Sequence, residues 1–180
     1  MPDRNVGFFQ EHPYVDILVH HEGEESFYEI LMEALNDNPS YEGITGYTIN
    51  DSGKEVRSIP RARMLDIENV PSPLLDGSFD ELIANNTKGL AYNVCVESAR
   101  GCPFSCAFCE IGEQYYAKVK TSYDKTKKEI DWIAKNKIEY VTDANSNYGL
   151  KYDNDYDLAL YVKKVKEKTG YPHAYRVTWL

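Results

Sequence analysis

Residues 90–109 read LAYNVCVESARGCPFSCAFC. The first seven, Leu90 to Val96, form a predicted strand. Glu97 to Gly112 then make a loop carrying Cys102, Cys106 and Cys109 at the spacing C-x3-C-x2-C. Downstream, Ser122 to Lys135 carries Tyr123, Ile130 and Ile133 on one helical face. Ile138 to Thr142 reads as a strand ending in Asp143-Ala144-Asn145-Ser146-Asn147. A helix over about 155–168 follows, with stripe Leu158, Tyr161, Val162 and Val165, acids at its start, lysines at its end and Gly170 to close it. His173 to Trp179 predicts a third strand. Strand, helix, strand, helix, strand is the order that builds a parallel sheet. A closed eight-stranded barrel typically needs about 250 residues, so three strands predict a half-barrel.

Upstream, Tyr14 to His20 is a short apolar run fit for a strand, and Glu22-Gly23-Glu24 follows it. Phe27, Ile30, Leu31, Ala34 and Leu35 then make a helical stripe. The acids around Gly23 read as helix-start residues rather than a metal pair. Ile44 to Ile49 and Lys54 to Ile59, joined by Asn50-Asp51-Ser52-Gly53, predict a hairpin. From Pro60 to about Gly77, three prolines and no period predict an ordered linker or a wrap over the surface. The expected domains are 1–59, a linker over 60–85, and 86–180.

The chain's 180 residues are 42% hydrophobic, enough for a core. A net charge of −9 argues against nucleic acid as partner. No apolar run approaches the roughly 18 residues of a membrane span, and no signal peptide opens the chain. A cytoplasmic location is expected, where cysteines serve as ligands or free thiols rather than disulfides.

Three thiolates on one loop can each bind one iron of a cubane cluster, leaving the fourth iron open for a substrate. The competing reading is structural zinc with Cys95 as fourth ligand, although Cys95 lies alone on a strand and otherwise reads as a small buried hydrophobe. Asp143, Asn145 and Asn147 stand where active-site residues gather in such folds, and they also suit an ordinary turn. Arg100, with five donors, suits bonding to loop carbonyls.

The C-x3-C-x2-C spacing, the preceding Arg100-Gly101 and the aromatic Phe108 before the last cysteine resemble the signature loop of the radical S-adenosylmethionine (radical SAM) superfamily. Val15 to Val19, Glu22-Gly23-Glu24, Gly43 to Gly46 and Pro71-Ser72-Pro73 are similar to a subgroup with a cobalamin-binding domain before the radical barrel. The resemblance implies a [4Fe–4S] cluster on Cys102, Cys106 and Cys109. It also implies S-adenosylmethionine as cofactor, cleaved reductively to a 5′-deoxyadenosyl radical for methyl transfer or hydrogen abstraction. Phe108 would lie near the adenine, with Asp143 and Asn145 in place of the family's Gly-Gly-Glu. The electron donor would be a reductant such as flavodoxin or ferredoxin.

On this reading the fold is α/β: the C-terminal remnant of a Rossmann-like cobalamin-binding domain, a hairpin and linker, and part of a radical SAM barrel. The sequence has no D-x-H-x-x-G motif, so cobalamin binding by this chain alone is not expected. The chain is expected to correspond to an internal fragment of a longer enzyme, and to self-associate or meet a partner chain that completes the barrel. The alternative is a non-catalytic iron–sulfur or zinc-binding module.

Overall fold

The computed structural model describes residues 7–64, 66–109, 111 and 114–179. The chain divides into two compact units, residues 1–64 and 65–180.

The first unit holds the short helix α1 (Phe8–Glu11), strand β1 (Ile17–Val19), helix α2 (Glu24–Ala34) and the hairpin β2 (Tyr47–Asp51) and β3 (Lys54–Arg57). The sheet order is β1-β2-β3, antiparallel throughout. Asp51 faces Lys54 across the turn, and Ser52 and Gly53 take φ of 53° and 89°. Two positive φ values give the tight turn whose twist matches paired strands, as the Ser-Gly dipeptide predicts. The predicted hairpin is present, and β1 adds to it antiparallel, a pairing the sequence did not predict.

Helix α2 carries Glu24 and Glu25 in its first turn, where the helix dipole favours acids. Its buried face differs from the predicted stripe. Ser26 and Ile30 are buried, while Phe27, Leu31 and Leu35 are exposed. The cause is a close approach at Gly46: a Cβ there would stand 2.9 Å from Ser26 Oγ. Ser26 Oγ also donates to the Thr45 carbonyl at 2.8 Å. This contact turns positions 26 and 30 inward, one residue round from 27 and 31. Glu22 has a different role from the one expected. It is buried, accepting from Arg63 Nε at 2.9 Å and from the Met64 amide at 2.8 Å.

The second unit contains α3 (Asp80–Ala84), β4 (Asn93–Val96), β5 (Ala99–Arg100), β6 (Lys120–Thr121), α4 (Tyr123–Lys135), β7 (Tyr140–Asp143), α5 (Tyr152–Thr169) and β8 (Ala174–Arg176). Its main sheet is parallel, ordered β4-β7-β8, as the alternation of strands and helices predicts. Val96, Ile130, Ile133, Ile138, Val141 and Leu158 form the core between sheet and helices. Removing such side chains from water supplies about 1.5–3 kcal/mol each. Gly170 ends α5 in the left-handed conformation, φ 83°.

Residues 66–77 contain no helix or strand. They do more than wrap the surface, because Leu74 enters the core and Ile67 is buried. Helix α3, not anticipated from sequence, follows.

Candidate metal and cofactor loop

The cysteine loop is the excursion between the two strands of a small antiparallel ribbon. Ala99 pairs with Thr121 and Arg100 with Lys120, and the chain between them carries all three candidate thiols. The ribbon begins three residues after β4 ends and leads into α4. Its root is bonded on both sides: the Ser122 amide donates to the Ser98 carbonyl at 2.8 Å, and Ser122 Oγ to the Glu97 carbonyl. Ser122 precedes α4, yet its hydroxyl ties down the ribbon instead of capping the helix. The Arg100 guanidinium forms a two-pronged pair with Glu97, Nε to Oε1 at 2.8 Å and Nη2 to Oε2 at 2.6 Å. A carboxylate thus engages two of the guanidinium's five donors.

Within the loop, the Cys102 amide donates to the Tyr116 carbonyl at 2.9 Å and the Cys109 amide to the Cys106 carbonyl at 3.0 Å. Cys102 is buried, and Cys106 and Cys109 are exposed. All are free thiols. Phe108, a large apolar ring, is 92% exposed. Among the described residues, no three His, Cys, Asp or Glu side chains are gathered as a ligand group. The loop thus brings the three thiols onto one short excursion without converging them. As a donor set they fit an iron–sulfur cluster: soft, disulfide-free sulfurs on one loop, two of them open to solvent.

Cys95 is exposed, contrary to the small buried hydrophobe expected. Along β4, Val94 and Val96 pack on the helix-side core, so the strand's alternation turns Cys95 to the opposite face. Partial burial, with Asp143, Glu97 and Glu129 nearby, pushes its thiol pKa up.

Asp143 ends β7 and Asn145 follows two residues later, both beside the ribbon root and both buried. Asp143 Oδ1 accepts from the amides of Ser98 (3.0 Å) and Asn145 (3.1 Å). Its Oδ2 accepts from Ser98 Oγ (2.6 Å) and the Tyr175 hydroxyl (2.7 Å). Burial, then the Asp143 charge, raises the Tyr175 phenol above its ordinary range. Asn145 Nδ2 donates to Ser98 Oγ at 3.2 Å, and Asn145 Oδ1 accepts from the Asn147 amide at 3.0 Å. Asn147 Nδ2 is buried without a partner among the described residues, so this rim has a donor to offer. Sequence reasoning missed Ser98 and Tyr175. A serine after a strand and a tyrosine within one carry no signal until the three strands are side by side.

No family model matches the chain. Two curated relatives align along 99% of it at 34% identity: the 2-(S-pantetheinyl)-carbapenam-3-carboxylate methyltransferase of Streptantibioticus cattleyicolor, over 181 residues, and the cobalamin-dependent radical SAM methyltransferase TokK of Streptomyces tokunonensis, over 182. The chain spans 26% of the length of each. An uncharacterized methyltransferase of Pyrococcus horikoshii is 34% identical over 108 residues, 59% of this chain and 22% of that protein. Among solved structures, the radical S-adenosylmethionine methyltransferase TsrM of Kitasatospora setae matches with TM-scores of 0.60 and 0.61. Identity there is 15% and 13%, over 93% of this chain and about a third of TsrM. One of those structures contains cobalamin and a [4Fe–4S] cluster, the other tryptophan and an S-adenosylmethionine analogue.

Proposed function

This chain is a homologue of the cobalamin-dependent radical SAM methyltransferases over about a quarter of their length, and from that premise we propose that it is a [4Fe–4S]-binding, S-adenosylmethionine-binding protein. Cys102, Cys106 and Cys109 would hold the cluster, and S-adenosylmethionine would bind beside them. When bound, the cluster supplies one electron for reductive cleavage of S-adenosylmethionine to a 5′-deoxyadenosyl radical, for methyl transfer or hydrogen abstraction. Phe108, exposed beside Cys109, covers the adenine. Asp143 and Asn145 set the shape of the rim that meets the methionyl group. A reductant such as flavodoxin or ferredoxin delivers the electron. The observation that carries this reading is the placement of three free thiols on one excursion beyond the end of β4.

Anaerobic reconstitution tests it. Wild-type protein is expected to hold close to four irons and four sulfides per chain. Replacing Cys102, Cys106 or Cys109 by Ala should abolish this, and Cys95→Ala should leave it intact. Stoichiometric zinc under iron-replete conditions would overturn the reading. With dithionite, slow release of 5′-deoxyadenosine is expected, absent in Cys106→Ala. A three-stranded sheet positions a substrate less firmly than a full barrel, and a misplacement of about 1 Å can cost roughly a hundredfold in rate.

The second reading is a non-catalytic iron–sulfur or zinc-binding module. It uses the same three free thiols but needs no S-adenosylmethionine site. An S-adenosylmethionine titration of the reconstituted protein separates the two, since the module gives no saturable binding.

A further inference from the structure

We infer that Asp143 is a positioning residue for the cysteine loop rather than a contact for S-adenosylmethionine, an inference that rests on the cluster-binding reading above.

A carboxylate offers about four acceptor positions. At Asp143 four donors already fill them: the Ser98 amide and hydroxyl, the Asn145 amide and the Tyr175 hydroxyl. With 2% of its surface exposed, the group has neither room nor a lone pair for a ligand. Two of the four bonds go to Ser98, which is fully buried and lies one residue before the ribbon that carries the thiols. Charge-assisted bonds are shorter and stronger than neutral ones, and the 2.6 Å bond from Ser98 Oγ has that character. The remaining bonds reach Asn145 on the following turn and Tyr175 on β8. One side chain on the central strand thus fixes the ribbon root against the ends of all three strands. Cys102, four residues beyond Ser98 and buried, is the thiol whose place depends most on that root.

The test uses the full chain without a cluster, so its readout is independent of cluster loading. Alkylation by iodoacetamide is followed at each cysteine by mass spectrometry, at a temperature where circular dichroism shows every variant folded. Asp143→Asn replaces an acceptor oxygen with a donor and should speed Cys102 alkylation roughly tenfold, the factor given by about 1.4 kcal/mol. Cys106 and Cys109, already exposed, should change by less than about twofold on this argument. Ser98→Ala should act in the same direction and keeps the test decisive if Asp143→Asn does not fold. Tyr175→Phe removes the one Asp143 bond that ties it to β8 and leaves both Ser98 bonds in place, so it should lower the melting temperature yet leave Cys102 protected. Unchanged Cys102 rates in Asp143→Asn or Ser98→Ala would overturn the inference. Equal acceleration in Tyr175→Phe would also overturn it, by showing general loosening of the sheet. A wild-type chain that binds no iron would instead defeat the cluster reading and leave the alkylation result standing.

Discussion

The Tyr123 hydroxyl donates to Asp155 Oδ1 at 2.7 Å, joining the first residue of α4 to the first turn of α5. Oδ2 of the same carboxylate accepts from the amides of Gly149 (2.8 Å) and Lys151 (3.1 Å), so one buried group organises the entry to α5. Burial, then Asp155, holds the Tyr123 phenol well above its ordinary pKa. Asp155→Ala strands three donors at about 1 kcal/mol each or more, and should cost about 3 kcal/mol. Tyr123→Phe should cost about 1 kcal/mol. Guanidinium denaturation of both variants checks the ranking, and equal costs would show that the two amides find water instead.

Glu129 on α4 is buried, and burial raises its carboxyl pKa despite the opposing effects of Ser72 and Lys125. A folded pKa above the unfolded one means that the folded state holds the proton more tightly. The benefit is therefore present at acid pH and is lost as pH rises from the unfolded pKa through the folded one. Glu129→Gln keeps the shape without the charge. It should raise the melting temperature at pH 8 and make little difference near pH 4. A variant less stable than wild type at pH 8 would show that the ionised form is paired.

Among the described residues, β4 and β8 each pair only with β7 in their sheet, leaving both outer edges without a strand partner. Such edges recruit strands from other chains. Light scattering should show mass per particle rising with concentration, unless a partner supplying strands is present. A monodisperse monomer from micromolar to millimolar would contradict this.

The relative TokK is described as cobalamin-dependent, yet this chain has no D-x-H-x-x-G motif, and its first unit carries an antiparallel sheet. We expect no hydroxocobalamin spectrum to co-elute with the protein on gel filtration at micromolar concentrations. Co-elution at one cobalamin per chain would refute that.

Local patterns were enough to reveal the longer helices and the strands of both main sheets, but not the short α1, α3, β5 and β6. Ser52-Gly53 announced its turn because few dipeptides accept two positive φ values, and helices α4 and α5 announced themselves by period. The C-x3-C-x2-C spacing marked the candidate ligands for the same reason: one loop's covalent geometry limits what three thiols can share. What the tertiary structure decided lies between segments distant in sequence. Gly46 turned α2 so that Ser26 and Ile30, not Phe27 and Leu31, face inward. Leu74 left a stretch without periodicity to join the core. Ser98, Asp143 and Tyr175, spread over 78 positions, became one hydrogen-bonded group only when three parallel strands set their ends side by side. Period and spacing act within a few residues of chain, whereas filling a carboxylate's four acceptor positions depends on which strands become neighbours.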